Sequence, residues 1–333
     1  MTREKLAVTI SETETNKTVE QYLKQELHFT AAQISSLKFQ DGGICVNGIQ
    51  ARVTQKLKGG DLLEIGFANA RNQSAHLVPS KTMPDILYED EDVVCADKPA
   101  GLVIHPSHGH YQDSLANQLH AYFLNKGEKV QIRSIGRLDK DTSGVVVFAK
   151  NQIAAARLWQ QHESGSFRKE YLAWCEGKFP EQALREAQTI ALPIVHMEGE
   201  LMKMCVADGS YRENSSGNSE TRSHAGPGRN PDGTANRKKR SGGGIAITHY
   251  QVVRQEKGRA LVRLHLDTGR THQIRVHMTY LGHPLIGDPL YGNGKEGETH
   301  ALLCACRVEF EQPFSGNKIE VRSGLEDDFI IES

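Results

Sequence analysis

Several familiar signatures are missing from this chain of 333 residues, and each absence narrows what it can be. No run approaches the roughly 18 apolar residues that a membrane-spanning helix requires. The start, Met1-Thr2-Arg3-Glu4-Lys5, lacks the apolar stretch of a secretory signal. The expectation is a soluble, cytoplasmic protein. Its six cysteines, at 45, 95, 175, 205, 304 and 306, show no C-x-x-C spacing and lie mostly in apolar strand-like runs, which reads as reduced core thiols. The P-loop and H-E-x-x-H are absent, so nothing signals nucleotide-phosphate or zinc-peptidase chemistry. Nor is there an excess of charge of one sign: 40 basic residues face 41 acidic ones, for a net charge of -1. Any affinity for nucleic acid must come from basic groups concentrated locally.

The length suggests one large domain with a small one, or two of medium size. Hydrophobic residues, at 38%, suffice for a sizeable core but sit below the usual share, so some polar segment dilutes the chain. That segment runs from 208 to 244, dominated by Ser, Gly, Asn, Arg and Lys, with Arg237-Lys238-Lys239-Arg240 near its end. It cannot bury enough apolar surface to offset its chain entropy, and the expectation is a disordered insertion between two core strands. Its basic cluster is either an added attraction for RNA or part of a tolerated loop expansion.

At the front, Thr18-Val19-Glu20-Gln21 is a capping box, and Thr30-Ala31-Ala32-Gln33 repeats the pattern before a second short helix. Asn47-Gly48 between apolar runs marks a hairpin, because a type I′ turn needs two positive φ angles. Leu62-Leu63-Glu64-Ile65 supplies a closing strand. This module, residues 15–68, resembles the alpha-L RNA-binding motif of a ribosomal small-subunit protein and of many RNA-modifying enzymes. Lys24, Lys38, Arg52, Lys56 and Lys58 are then candidate phosphate contacts, against the plainer reading of solvated surface charges. Residues 69–84, with two prolines and no periodicity, read as a linker.

A second domain is expected over 85–325. Its first hairpin ends in Lys98-Pro99-Ala100-Gly101. His105, His108 and His110 invite a metal, but the Pro, Ser and Gly between them mark a loop, and no metal is expected. Ser114 and Asn151 each start a helix, and 167–177 reads as a strand. The most informative stretch is Gly136-Arg137-Leu138-Asp139-Lys140-Asp141-Thr142-Ser143-Gly144, which feeds the apolar run Val145-Val146-Val147-Phe148-Ala149. That run has the pattern of a strand buried on both faces. An Asp where a polar loop meets such a strand is partly desolvated and needs a cationic partner to stay ionised. On pattern alone Asp139 either caps a turn beside a neighbouring Arg or Lys or is a working carboxylate. A second constellation is Gly269-Arg270-Thr271-His272-Gln273-Ile274-Arg275-Val276-His277, where Gly269 permits a tight turn, Thr271 caps a helix, and His272 and Arg275 project from neighbouring positions.

Together, the G-R-L-D-x-D-T-S-G loop, the K-P-x-G turn with H-P behind it, the K-x-Y-x-A strand and G-R-T-H-Q-I-R-V-H followed by HPLIGDPLYG closely resemble the RluA-type family of pseudouridine synthases. The likeness covers roughly residues 15 to 320 apart from the insertion. It implies an α+β fold: a mixed, mostly antiparallel sheet with flanking helices. It also implies that Asp139 is the catalytic nucleophile and that Arg275 forms the ion pair that keeps it negative. Tyr171 would line the uracil pocket and assist proton removal from carbon 5, and Arg137 would contact displaced RNA. Many relatives have His where this chain has Gly136. The implied reaction detaches uracil from ribose, turns it over and rejoins it through carbon 5, which needs no cofactor and no metal. The implied substrate is a flipped-out uridine, in large-subunit ribosomal RNA given the front module. The alternatives are a transfer RNA target or a non-catalytic RNA-binding factor for ribosome assembly. Monomers are usual in the family. A hydrolase pair of Asp139 and Asp141 is weaker, because two carboxylates separated by one Lys share no obvious substrate face.

Overall fold

Hydrogen-bonding side chains set the elements at the front of the molecule. The computed structural model describes residues 3, 5–66, 77–200, 202–207, 244–292 and 300–331. Strand β1 (Lys5–Thr9) leads towards α1 (Val19–Gln25), where Thr18 and Gln21 exchange side-chain bonds for each other's backbone N–H and satisfy two otherwise orphaned donors. Thr30 and Gln33 do the same for α2 (Ala31–Leu37). Asn47 and Gly48, with φ of 52° and 78°, turn β2 (Ile44–Val46) into β3 (Ile49–Gln50). With β4 (Leu62–Gly66) these strands form a sheet of order β1-β4-β2-β3, and Val19, Leu23, Ile34 and Leu37 pack with it in one core. Because β1 pairs with β4 from Lys5↔Gly66 to Thr9↔Leu62, the unit starts ahead of residue 15, the boundary that the helix caps alone suggest.

The larger unit opens with the hairpin β5 (Asp85–Glu89) and β6 (Val93–Lys98), then α3 (Leu115–Asn125), β7 (Arg133–Ile135), β8 (Ser143–Ala149) and α4 (Gln152–Ser164). It continues through β9 (Arg168–Glu176), α5 (Glu181–Arg185), β10 (Gln188–His196), β11 (Met204–Val206), β12 (Ile245–Glu256) and β13 (Arg259–Leu266). The last elements are α6 (Gln273–Tyr280), β14 (Leu303–Glu311), β15 (Lys318–Arg322) and α7 (Glu326–Ile331). One sheet runs β11-β10-β12-β13-β9-β14-β8-β6-β5, with β15 on β14 and β7 on β8. α3 and α6 pack into the core on one face and α4 on the other, so the architecture is the α+β one expected. Among the described strands only β14 and β8 pair in parallel, through Cys304↔Ser143 and Ala305↔Gly144. Gly144 makes this approach possible: it has φ +104°, and a Cβ built on it would sit 2.3 Å from the Ala305 carbonyl oxygen.

The two units share a packed boundary. Ile153 of α4 lies in the core of the front unit, and Arg3 grips Asp92 with two bonds of 2.9 and 3.0 Å while lying 4.3 Å over the Phe314 ring. The end of the expected linker is docked on α3: Leu77 is buried, and Asn117 donates to the Val78 carbonyl at 2.7 Å. Residues 67–76, and 208–243 of the expected insertion, lie outside the described residues; the segment joins β11 to β12. No helix among the described residues is long and apolar enough to cross a membrane.

Glu89 ties β5 to α3 and to the end of β8. Its carboxylate, 13% exposed, accepts from Lys150 Nζ at 2.8 Å, Lys126 Nζ at 2.8 Å and the Tyr122 hydroxyl at 2.7 Å. Burial works to raise its pKa, but the donors from Lys126, Lys150 and Tyr122 prevail and hold it down at about 2. A folded-state pKa below the unfolded one contributes stability above about pH 4.5 that is lost as the pH falls towards 2. Glu89→Gln is therefore expected to lower the unfolding free energy by about 2 kcal/mol at neutral pH and by far less near the bottom of that window, read from urea midpoints at the two pH values.

Candidate active site

The loop between β7 and β8 is fixed from beneath by a buried cation. Lys98, fully buried, donates to three backbone carbonyls: Pro99 at 3.0 Å, Leu102 at 2.8 Å and Lys140 at 2.8 Å. Gly101 N–H adds a bond of 2.9 Å to the same Lys140 carbonyl. Burial lowers the Lys98 pKa to about 8, against the pull of Asp141 and Asp139. Leu138 is plugged into the core, and Ser143 Oγ donates to the Leu303 carbonyl at 3.2 Å. With the loop pinned at these points, Asp139 is left partly open to solvent, its side chain 20% exposed. Its ion-pair partner is the neighbouring Arg137 at 3.6 Å, whose own side chain is 73% exposed.

The expected Asp139–Arg275 ion pair is not formed. Arg275, on α6, sends Nε and Nη2 to the two oxygens of Asp288 at 2.7 and 2.6 Å. Relative burial gives the physical reason. The Asp288 side chain is 0% exposed, and leaving such a carboxylate without a cation would be far costlier than leaving Asp139 partly in water. Leu290 and Tyr291 N–H complete the Asp288 shell at 2.9 and 3.0 Å. Burial works to raise the Asp288 pKa, but Arg275 outweighs it and holds the group low. Arg275 nevertheless lies within reach of Asp139, whose charge helps Asp288 to raise the guanidinium pKa against desolvation.

The other groups converge from separate elements. Tyr171 of β9 is buried, and its hydroxyl makes no hydrogen bond among the described residues. Burial, then the charge of Asp139, pushes its pKa up, so it keeps its proton at neutral pH. His272 occupies the N-cap of α6 in a left-handed conformation, φ 56°, where Thr271 was the expected cap and Gly269 the expected turn residue. Gln273 compensates by accepting from Arg270 N–H at 2.9 Å and from Thr268 Oγ1 at 3.0 Å. His272 Nδ1 lies 2.9 Å from the Tyr291 hydroxyl, which also accepts from Met204 N–H at 2.8 Å. Burial lowers the His272 pKa against the opposing charge of Asp139. Gly136, with φ +72°, has Lys169 Nζ as its near neighbour, 3.9 Å from where a Cβ would stand. Burial lowers that lysine's pKa to about 8.

The structure thus brings Asp139, Tyr171 and Arg275 into one electrostatic neighbourhood and adds Lys98, His272, Asp288 and Tyr291, none of which motif reasoning assigned a role. Asp288 and Tyr291 do stand in the HPLIGDPLYG string, so the signal was present. Lys24, Lys38, Arg52, Lys56 and Lys58 are all exposed on the front unit; Lys24 is engaged with Glu20 at 2.6 Å, and Lys38 lies 4.7 Å over the Phe39 ring. Among the described residues, the group of side chains that could hold a metal ion lies away from Asp139. The assignment of Arg275 to Asp288 can be checked by stability. Asp288→Ala should cost about 3 kcal/mol because it strands a buried guanidinium, whereas Asp139→Ala should cost under about 1 kcal/mol. Urea unfolding of the two variants reads the difference, and the reverse order would mean that Arg275 serves Asp139.

A family model described as RNA pseudouridylate synthase matches residues 92–280. The Bacillus subtilis protein named "Uncharacterized RNA pseudouridine synthase YjbO" is 30% identical over 93% of this chain and 96% of its own length. "Ribosomal large subunit pseudouridine synthase D" of Xanthomonas campestris is 30% identical over 87% of this chain and 80% of its own. Among solved structures, human RNA Pseudouridylate Synthase Domain Containing 1 superposes with a TM-score of 0.51 at 25% identity, covering 72% of this chain and 82% of that one. Human RNA Pseudouridylate Synthase Domain Containing 4 shares the fold, with a TM-score of 0.52 at 23% identity over 74% of this chain and 90% of that one. The chain belongs to the RluA-type family of RNA pseudouridine synthases, isomerases that act on RNA.

Proposed function

We propose that this chain isomerises a uridine of large-subunit ribosomal RNA, with Asp139 as the group that attacks the extruded nucleotide. The observation that carries the reading is a carboxylate on a pinned loop, 20% exposed, whose ion pair among the described residues is with Arg137 at 3.6 Å. A nucleophile must be free to react, and Asp139 is, because the buried cation nearby is committed to Asp288. The isomerisation breaks the bond between N1 of uracil and ribose, forms a bond from ribose to carbon 5 and releases the proton that carbon 5 carried, while N1 takes up a proton. The bond that Asp139 forms to the nucleotide on attack is broken again as the base is rejoined, so the carboxylate is returned. Tyr171 forms an apolar floor for the base and offers its O–H; burial puts its phenolate out of reach at neutral pH, so it serves in packing and orientation rather than as an ionised base.

A uridine inside folded RNA has to leave its stack first. Arg137, with a 73% exposed side chain, stands at the mouth beside Asp139 and would move from its weak ion pair to a phosphate or a vacated base position. The exposed cations of the front unit, Lys38, Arg52, Lys56 and Lys58 among them, supply attraction to the backbone without sequence preference. The large subunit as target rests on relatives named for it. RNA from cells lacking the gene should have lost pseudouridine at a large-subunit position, restored by the wild-type chain and not by Asp139→Asn. A loss confined to transfer RNA would remove the ribosomal target, and restoration by Asp139→Asn would remove Asp139 from the chemistry.

A further inference from the structure

On the other face of the sheet from Tyr171 and Leu264, three side chains gather whose sequence positions give no hint of it. His249 on β12 and His265 on β13 are directly opposed in the antiparallel register, and their rings stack with centroids 5.0 Å apart. Asp267, two residues beyond His265 and so on the same face, reaches both: Oδ2 lies 3.0 Å from His249 Nε2 and Oδ1 3.5 Å from His265 Nε2. Facing ring nitrogens and carboxylate oxygens from this trio lie within 4.8 Å of one another. We propose that His249, His265 and Asp267 bind a divalent transition ion of the zinc, cobalt or nickel class.

Three features favour an ion over a plain surface network. Two imidazoles and one carboxylate are the donor set of that class of ion, whereas magnesium and calcium take oxygen ligands. The hydroxyl of Thr189, opposite His249 across β10 and β12, lies 2.9 Å from His249 Nδ1. With an ion between the rings and Asp267, Nδ1 would donate to that hydroxyl and leave the Nε2 lone pair for the ion, as an outer hydrogen bond commonly arranges for a metal-bound histidine. The residue that faces His265 on its other side, Glu170, is occupied with Arg263 at 3.2 Å and does not compete. Ligands about 2.0–2.2 Å from a tetrahedral zinc lie about 3.3–3.6 Å from one another, so the 3.0 and 3.5 Å spacings of Asp267 to the two rings already suit an ion, and small movements of half-exposed side chains complete the fit. Open positions would face solvent and carry water.

The site's place in the fold gives it a consequence. Asp267 N–H donates to the Ile247 carbonyl at 3.2 Å, and Thr268 Oγ1 accepts from Ile247 N–H at 2.9 Å, so this is where the chain leaves the sheet for His272 and α6. An ion across β12 and β13 would tie down that exit without touching the reacting atoms. The test uses the full chain freed of metal by a chelator and then titrated with cobalt(II) or zinc(II). One ion per chain should bind, with a cobalt spectrum lacking thiolate charge-transfer bands and with a raised melting temperature. His265→Gln and Asp267→Asn, folded by circular dichroism, should each weaken binding about tenfold or more, whereas His110→Gln, at another surface His–Asp pair, should leave it unchanged. No stoichiometric binding to the wild-type chain, binding that survives His265→Gln, or a thiolate band would each overturn the proposal.

Discussion

Two carboxylates lie near one buried guanidinium, and the difference in their exposure decides which one it binds. Asp288, with a side chain 0% exposed, takes both arms of Arg275 and two backbone N–H groups besides. Asp139, 20% exposed, keeps enough water to remain without a short ion pair. A buried ion pair is rarely a large net source of stability, but removing one partner is severely destabilising. The pair therefore acts as a fixed, net-neutral support close to Asp139. The charge of Asp139 bears across space on Arg275, His272, Tyr171 and Tyr291 without a contact to any of them.

That arrangement depends on backbone geometry held elsewhere. Lys98 fills three carbonyls around the turn and the loop, one of them belonging to Lys140, directly after Asp139. Gly144 lets β8 lie parallel against β14, with its would-be Cβ only 2.3 Å from a backbone oxygen. Leu138 packs in the core, while its neighbours Arg137 and Asp139 keep contact with solvent.

Local patterns were the most legible part of the sequence. The two capping boxes, the Asn47-Gly48 turn and the helix starts at Ser114 and Asn151 each follow from a side chain bonding to backbone within three residues, so the string alone contains them. The core strand β8 was equally plain, because its unbroken apolar run has no other place to go. What escaped was set by distance along the chain. β1 lies far from its partner β4, and nothing in Lys5–Thr9 announces the pairing. The cap of α6 fell to His272 because Gln273 and Thr268 form a network that replaces the usual Ser or Thr cap. The partner of Arg275 was misassigned because motif strings carry no burial, and burial is what chooses between Asp139 and Asp288. His249 and His265 meet only because β12 and β13 are in register.

The most direct measurement is a single-turnover release of tritium from RNA labelled at carbon 5 of uridine, with enzyme in excess over RNA. The account predicts that the wild-type chain frees the label into water as the base is rejoined through that carbon, while Asp139→Asn binds the same RNA and frees none. Release by Asp139→Asn at a rate near that of the wild type would contradict it.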